Sequence, residues 1–451
     1  MVDDVFHTID PKGDVLLILR SPNAPFAVWD VAEEIESLAV RRTLKQGFPS
    51  PNLPPSKHGD EEWRGGSGLS SKKGKSKKED KKKKKKTKLN LEDPDERLNT
   101  DIAWNLFSTV VTSRSRNESQ QLAEVEPLAE PEEEPAEDPE EDPEEEPEFK
   151  YLVSSRHLAL ASSKFEAELK GPWMEGFVND IDGYHHINAS EWDPDALLIL
   201  MRIFHGQTRS VPRDISLEML AKIAVLVDYY DAPEVVEVYA NIWIDELEGE
   251  LPTQHGRDMV LWLLVSHVFQ QENVFSRMTQ IAVTQSLKPV PTLGLPIPSI
   301  VVDLVDWQRQ KAVDYIMNTL QGLLDDFRTE SSGCSFECSS MLLGALTKEM
   351  GVHKLLNPPP KEPYIGYSIV DTEKMVNDFR CPQWNHPRRS HHSYYSETPD
   401  ACNLKTIIST RLTAQPNGVE GGFKISEIQT ISRATRSLEY SLSECQRILH
   451  M

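Results

Sequence analysis

The stretch FKYLVSSRHLALASSKFEAEL, residues 149–169, decides how the rest of this chain folds. It opens with Phe149, Tyr151 and Val153 separated by single residues, which is the period-two pattern of a half-buried strand. Two short apolar segments follow, and Gly171-Pro172 ends the second. The stretch therefore predicts a strand that leads directly into a compact helical hairpin. None of its residues has the character of a catalytic group.

Three further helices are expected to pack on this hairpin. Asp193-Pro194 predicts an N-cap followed by proline in the first turn, and Ser216 predicts the cap of the next helix. A third helix begins near Pro233. By its helical spacing, the pattern predicts that it packs through Val235, Val238, Tyr239 and Ile242.

A further strand is expected far upstream. Asp14–Leu19 is short, aliphatic and flanked by turn residues, so it predicts a buried strand. Towards the C-terminus, Met259–Val268 is apolar almost all round and predicts a buried helix, and Ser299–Phe327 predicts a long one. Asn357–Ser393 is rich in proline, charge and histidine and predicts long loops. Strands first and helices after, without βαβ alternation, predict an α+β fold.

Composition divides the 451 residues into three parts. Residues 1–30 and 149–250 are predicted to form one discontinuous domain with a small sheet and a helical cluster. Residues 31–148 are rich in lysine, then in proline and glutamate, and have too few aliphatic residues to offset the entropy cost of ordering. This segment is predicted to be a largely disordered insertion. Residues 251–451 are predicted to be mainly helical.

The net charge of −23 comes from opposed blocks on an acidic background. Residues 124–148 carry fifteen acidic groups and no basic one, whereas residues 72–88 carry twelve lysines. An acidic folded part argues against a broad phosphate-binding surface, so nucleic acid is not an expected partner. The lysine run has three interpretations: a charge-balancing linker, a nuclear import signal or a nucleic-acid contact. The candidate import signal is Lys81, Lys82, Lys83, Lys84, Lys85 and Lys86.

The sequence predicts an intracellular protein. No apolar stretch reaches the ~20 residues that a membrane span needs, and the N-terminus lacks a basic-then-apolar leader. Five cysteines, an odd number in a long chain, suit a reducing compartment. The expected location is the nucleus or the cytoplasm.

The order of these elements resembles the BTB (POZ) domain, in the version found in filamentous-fungal proteins. The resemblance covers about residues 5–30 and 149–247. It is carried by Asp14–Leu19, Leu152-Val153, Leu158–Leu169, Ile187, Ala196–Phe204 and Leu220–Trp243. In two respects the chain departs from the family. Ser155-Arg156-His157 stands where many animal members have Val-His-Lys, so that family's charged groove is not carried over. The resemblance implies that Asp14–Leu19 pairs with the strand at residues 149–153. More than a hundred residues separate these two strands here, at little thermodynamic cost because loop entropy grows slowly with length.

The resemblance implies a protein that binds proteins, and the residues support no enzymatic alternative. Nucleotide-binding glycine loops, HExxH and GxSxG are all missing from the sequence. The principal hypothesis is a non-enzymatic scaffold or adaptor that binds another protein or a second copy of itself. Its interaction core is expected to be Leu158, Leu160, Phe165 and Leu169. Two alternatives stay open: a nuclear regulator whose acidic tract contacts basic proteins, and a substrate adaptor of a cullin-type ubiquitin ligase. No small-molecule substrate and no membrane partner are expected.

One group of residues has the chemistry of a metal site. Zinc prefers four thiolate or imidazole ligands in a tetrahedron, and two cysteines one helical turn apart can occupy one edge of it. The candidate ligands are Cys334, Cys338, His392 and Cys402. The spacing is not that of a standard zinc finger, and the alternative interpretation is a set of reduced, partly buried cysteines. Apart from such a structural zinc ion, no cofactor is predicted.

Overall fold

The fold is known from a computed structural model, which describes residues 5–30, 148–171, 174–383, 402–413 and 421–434. Four strands form one mixed sheet in the order β1-β3-β2-β4. They are β1 (Val5–Thr8), β2 (Val15–Arg20), β3 (Phe149–Val153) and β4 (His185–Ser190). β2 runs antiparallel to β3, with Val15 opposite Val153, and parallel to β4. The predicted pairing of Asp14–Leu19 with the opening stretch is confirmed.

The hairpin after β3 consists of α1 (Ser155–Ala161) and α2 (Ser163–Lys170). The carboxylate of Asp14 accepts hydrogen bonds from the backbone N–H and the hydroxyl of Ser155, at 2.7 and 2.6 Å, so the loop before β2 caps the start of α1. Ser162 caps α2 by accepting a bond from the N–H of Phe165. Gly13 is needed at this junction, because a Cβ there would lie 2.5 Å from the carbonyl oxygen of Val153.

Three helices follow: α3 (Pro194–Phe204), α4 (Leu217–Tyr230) and α5 (Pro233–Leu247). α3 packs on β3 and on the hairpin, α4 packs on the hairpin and on α3, and α5 packs on α3 and α4. Their starts follow the sequence signals. Asp193 accepts bonds from two N–H groups of the first turn of α3, and Ser216 does so once for α4. α4 ends at Asp231, whose φ of 50° places it in the left-handed conformation that stops a helix.

The C-terminal part is helical, as predicted. It contains α6 (Arg257–Val268), α7 (Glu272–Gln285), α8 (Ser299–Arg328), α9 (Phe336–Val352), α10 (Ile369–Asn377), α11 (Leu404–Thr413) and a last helix, α12, over residues 425–434. Residues 259–266 of α6 are all buried, which confirms the prediction from their composition. The prediction of loops throughout 357–393 is wrong for α10. Ile369, Thr372 and Val376 form a short buried face there, and Ser368 caps the helix.

The N-terminal and C-terminal parts share one hydrophobic core in the residues that the structure describes. α6 packs on α4, and Arg257 at its start donates hydrogen bonds to the backbone oxygens of Phe26 and Ala27 and to the carboxylate of Glu218. α4 and α6 therefore pack together across residue 250, where the sequence predicted a boundary between two regions. Residues 31–147 of the predicted insertion, including Lys81–Lys86, lie outside the described residues.

A buried arginine fixes the loop before α10. Arg309 on α8 is 0% exposed and makes two bonds to one carboxylate oxygen of Asp306, at 2.9 and 2.6 Å. It also donates to the backbone oxygens of Pro363, Tyr364 and Tyr367. A fully desolvated guanidinium needs this number of acceptors, so the loop and the helix are held together by one side chain.

None of the helices in the described ranges combines the length and the apolar character required to cross a membrane.

Candidate functional site

The four apolar residues that the sequence assigns to an interaction core do not form one surface. Leu158 and Phe165 are 0% exposed. Phe165 stacks on Tyr230 with 4.3 Å between ring centroids, so it belongs to the interior of the domain. Leu169 is partly buried, and Leu160 alone, at 88% exposure, is open to a partner. The prediction is therefore wrong for Leu158 and Phe165, because a hairpin with helices of seven and eight residues turns its apolar side inward to cover α3 and α4.

An exposed apolar face lies instead on α5. Val235, Val238 and Ile242 are 38%, 68% and 44% exposed. Their spacing of three and four residues places all three on one side of the helix. The opposite side is buried through Val236, Ala240, Trp243, Ile244 and Leu247. The sequence prediction that this helix packs through Val235, Val238 and Ile242 is wrong, since α5 carries two apolar stripes and the stripe with Trp243 faces the core.

Acidic side chains surround the exposed stripe. Glu234, Asp245 and Glu246 on α5 are all exposed, and α5 contains no lysine or arginine. Successive positions turn by about 100° around a helix, so Glu234 and Asp245 lie along one edge of the stripe and Glu246 along the other. We call Val235, Val238, Ile242 and these three carboxylates the α5 face. It combines apolar contact area with negative charge.

A cleft between α4, α6 and the loop after β2 collects charged residues, but they neutralise one another. The cavity has a volume of about 470 Å³. Lys222 pairs with Asp193 at 2.9 Å and with Glu218 at 3.1 Å, and Arg257 pairs with Glu218 at 2.8 Å. Burial alone would raise the pKa of Glu218, yet the hydrogen bonds from Lys222 and Arg257 lower it below its usual value. This arrangement joins elements of the fold through ion pairs.

His205 at the end of α3 is held as a neutral ring. Its Nε2 accepts a hydrogen bond from the backbone N–H of Ser154 at 2.9 Å, which requires a bare nitrogen, and Nδ1 therefore carries the proton that it donates to the carbonyl oxygen of Met201. Burial lowers the pKa of His205, and the nearby ring of His157 lowers it further. Both nitrogens are occupied, so His205 is a structural residue and has no free lone pair for a metal ion.

Three cysteines from separate parts of the chain meet at one corner of the helical region. The sulfur atoms of Cys334, Cys338 and Cys402 all lie within 4.8 Å of one another, and none of the three forms a disulfide. They are three of the four ligands that the sequence predicted. The fourth, His392, lies outside the described residues. Cys381 lies near this corner but outside the group, and its sulfur accepts the N–H of Leu404 at 3.4 Å. We call Cys334, Cys338 and Cys402 the thiol cluster.

No family model, curated protein or solved structure matches this chain.

The local sequence explains how the thiol cluster is positioned. Gly333 adopts a φ of +104°, and a Cβ there would lie 3.2 Å from the backbone nitrogen of Ser339, so the turn folds tightly over the first turn of α9. Ser335 caps that helix by accepting the N–H of Cys338. Cys338 is the third residue of α9 and lies close to the positive end of the helix dipole.

Burial raises the pKa of the Cys402 thiol above its ordinary value, and hydrogen bonds with the sulfur atoms of Cys334 and Cys338 contribute to the rise, which brings it to about 12. Three sulfur atoms so close together cannot all carry a negative charge in water-poor surroundings. A cation bound between the three sulfur atoms would instead favour their negatively charged forms, since a metal-bound thiol is deprotonated.

Proposed function

We propose that this protein is a non-enzymatic protein-interaction protein that binds its partner through the α5 face. The observation that carries the proposal is the exposed stripe of Val235, Val238 and Ile242 on a helix whose other side is fully packed. Apolar side chains grouped on one helix face are the usual means by which one protein receives an apolar segment of another.

The proposal includes the resemblance to the BTB (POZ) domain. It is supported by the order of elements: an antiparallel pair β2–β3, a helical hairpin, a strand β4 parallel to β2, and then α3, α4 and α5. Fold alone does not define a function. The partner is therefore inferred from the chemistry of the α5 face.

The charge of the α5 face defines the kind of partner. Three carboxylates border the apolar stripe and no basic side chain lies on this helix. Two copies docked through the same face would bring like charges together, at a cost of several kcal/mol. A segment of another protein that presents apolar side chains flanked by lysine or arginine complements both properties. We therefore propose a basic, amphipathic segment of a different protein as the partner.

The test compares two exposed apolar residues on different surfaces. Val238→Asp introduces a charge into the centre of the α5 face, and Leu160→Asp makes a matched change on α1. Both side chains are more than half exposed, so each variant is expected to change the free energy of unfolding by less than about 0.5 kcal/mol. Full-length wild-type protein and both variants are used to purify partners from the native cells, with quantitative mass spectrometry. The strongest candidate is then measured with purified components.

The expected result is a partner that wild-type protein and Leu160→Asp bind equally, and that Val238→Asp binds at least about tenfold more weakly. Binding should also weaken as salt is raised, because the partner's basic groups meet the carboxylates. A partner lost only with Leu160→Asp would place the interaction surface on the hairpin and overturn the proposal. Light scattering could also overturn the proposal, by showing that the full chain forms a dimer and that Val238→Asp disrupts it. The like charges of the α5 face disfavour self-association through this face.

A further inference from the structure

The thiol cluster joins two parts of the chain that are far apart in sequence. Cys334 and Cys338 lie at the start of α9, whereas Cys402 lies just before α11. We propose that Cys334, Cys338 and Cys402 bind one zinc ion, and that this ion fastens α11 to the corner between α8 and α9. The proposal is independent of the proposed function of the α5 face.

The distances suit a tetrahedral thiolate site. Zinc–sulfur bonds of about 2.3 Å place the sulfur atoms of a tetrahedron ~3.8 Å apart. The three sulfur atoms already lie within 4.8 Å of one another, so small rotations of the side chains bring them to that spacing. A water molecule or one further side chain would complete the fourth corner, as zinc requires.

The chemical alternatives explain the cluster less well. Neutral thiols are weak hydrogen-bond donors and acceptors, so three of them in contact gain little from one another. Cys338 is 0% exposed and Cys334 and Cys402 are half-buried, which leaves them poorly placed for reactive roles that need an open thiolate. Three thiolates and Zn²⁺ carry one net negative charge, and the N-terminal end of α9 at Cys338 stabilises that charge.

The surroundings indicate what the ion would fix. α11 packs on α8 through Leu404 and Ile408, which are 0% and 1% exposed. Beyond those contacts it is held by Tyr315, whose hydroxyl donates to the carbonyl oxygen of Arg411 at 2.8 Å, and by an ion pair between Arg411 and Asp326. A ten-residue helix is marginal on its own, so a metal link at its first residues would decide whether it stays docked.

The experiment measures metal in the full-length protein. Protein purified without chelator and washed with a metal-binding resin is analysed for zinc, then reloaded with Co²⁺ and examined for the visible bands of tetrahedral, thiolate-bound cobalt. Wild-type protein is expected to hold about one equivalent of zinc, and Cys338→Ser and Cys402→Ser less than about a tenth. Cys381→Ser is the matched control, because its sulfur is close by but outside the group, and it should retain the full equivalent.

A second readout does not depend on metal content. If zinc fastens α11, a chelator should speed proteolytic cleavage within residues 402–413 of the wild-type protein severalfold. Cys402→Ser should show the fast rate with or without chelator. Circular dichroism of each variant shows whether it remains folded. Cys402 is the more exposed of the two substituted residues, so Cys402→Ser serves as the test if Cys338→Ser does not fold.

Three results would overturn the proposal. The first is wild-type protein that holds no metal and shows no thiolate–cobalt bands. The second is loss of metal in Cys381→Ser equal to that in Cys338→Ser, which would show that the ligands are assigned wrongly. The third is a disulfide between two of the three cysteines in protein alkylated directly from cells, since that would make the cluster a redox pair.

Discussion

Removing residues 31–147 should stabilise the protein by about 1.5 kcal/mol. Arg20 at the end of β2 and Glu148 before β3 are 128 positions apart in sequence and form an ion pair at 2.8 Å, so the two strand ends lie side by side. The entropy cost of closing a loop grows as (3/2)RT ln n. A linker of about twelve glycine and serine residues in place of 31–147 leaves a loop of about 23 residues, which lowers that cost by about 1.5 kcal/mol.

The free energy of unfolding in urea, followed by far-ultraviolet circular dichroism, gives the comparison. Tryptophan fluorescence is unsuitable because the deletion removes Trp63 and Trp104. The matched control keeps the full length and shuffles the order of residues 31–147. It leaves the loop entropy unchanged and removes any specific contact, so its unfolding free energy should equal that of the wild type within about 0.5 kcal/mol.

The composition of the inserted segment predicts that it costs loop entropy and contributes no packing. A deletion variant that is less stable than the wild type by 1 kcal/mol or more would refute it. A shuffled variant that loses as much would refute it as well, because only sequence-specific contacts are removed by shuffling. Either result would make residues 31–147 part of the folded unit.

Three further predictions follow from single residues. Arg309→Met should cost about 3–5 kcal/mol of unfolding free energy, measured by urea denaturation, because it leaves the largely covered Asp306 carboxylate without its charged partner and three backbone oxygens without their donor. Since the pKa of His205 is lowered in the folded state, its stabilising contribution is complete above about pH 6.5 and is lost as the pH falls from there through the folded-state pKa. His205→Gln should therefore reduce the slope of stability against pH in this range, and an unchanged slope would contradict the assignment. Gly333→Ala should cost about 1–3 kcal/mol, measured in the same way, and should lower zinc content, because the turn before Cys334 needs a positive φ.

The elements that were predicted from sequence are those whose signals are local. The strand and hairpin of 149–169, the caps at Asp193 and Ser216, and the long helix α8 all depend on spacing within a few residues. Pairing of β2 with β3 was also predicted, from the resemblance to a known domain. The chain has only five cysteines in 451 residues, so the preference of zinc for thiolate ligands was enough to predict that three of them lie together.

The predictions about α5 and the hairpin failed because the sequence does not show which side of a helix its neighbours cover. In PEVVEVYANIWIDEL, residues 233–247, two apolar stripes satisfy the helical period, and the pattern alone ranks them equally. The larger surface of Trp243 decides that its stripe faces the core, where its Nε1 also donates to the carbonyl oxygen of Pro212. The hairpin failed for the same reason: Leu158 and Leu160 are two residues apart, and only the position of α3 and α4 makes one 0% and the other 88% exposed.

The second apolar stripe of α5 is difficult to explain by folding alone. A side chain that is exposed in both the unfolded and the folded chain contributes almost no hydrophobic free energy to folding. Complete burial of one valine or isoleucine contributes ~1.5–3 kcal/mol, and the exposed fractions of Val235, Val238 and Ile242, 38%, 68% and 44%, correspond to roughly one and a half such residues. A partner that covers the α5 face would therefore gain about 2–4 kcal/mol from this stripe, which is roughly one to three powers of ten in Kd. Val238 has the largest exposed fraction of the three. Val238→Asp removes the largest share of the apolar contribution to binding and places a charge where a partner would exclude water. We therefore expect binding to weaken at least tenfold while the free energy of unfolding is unchanged.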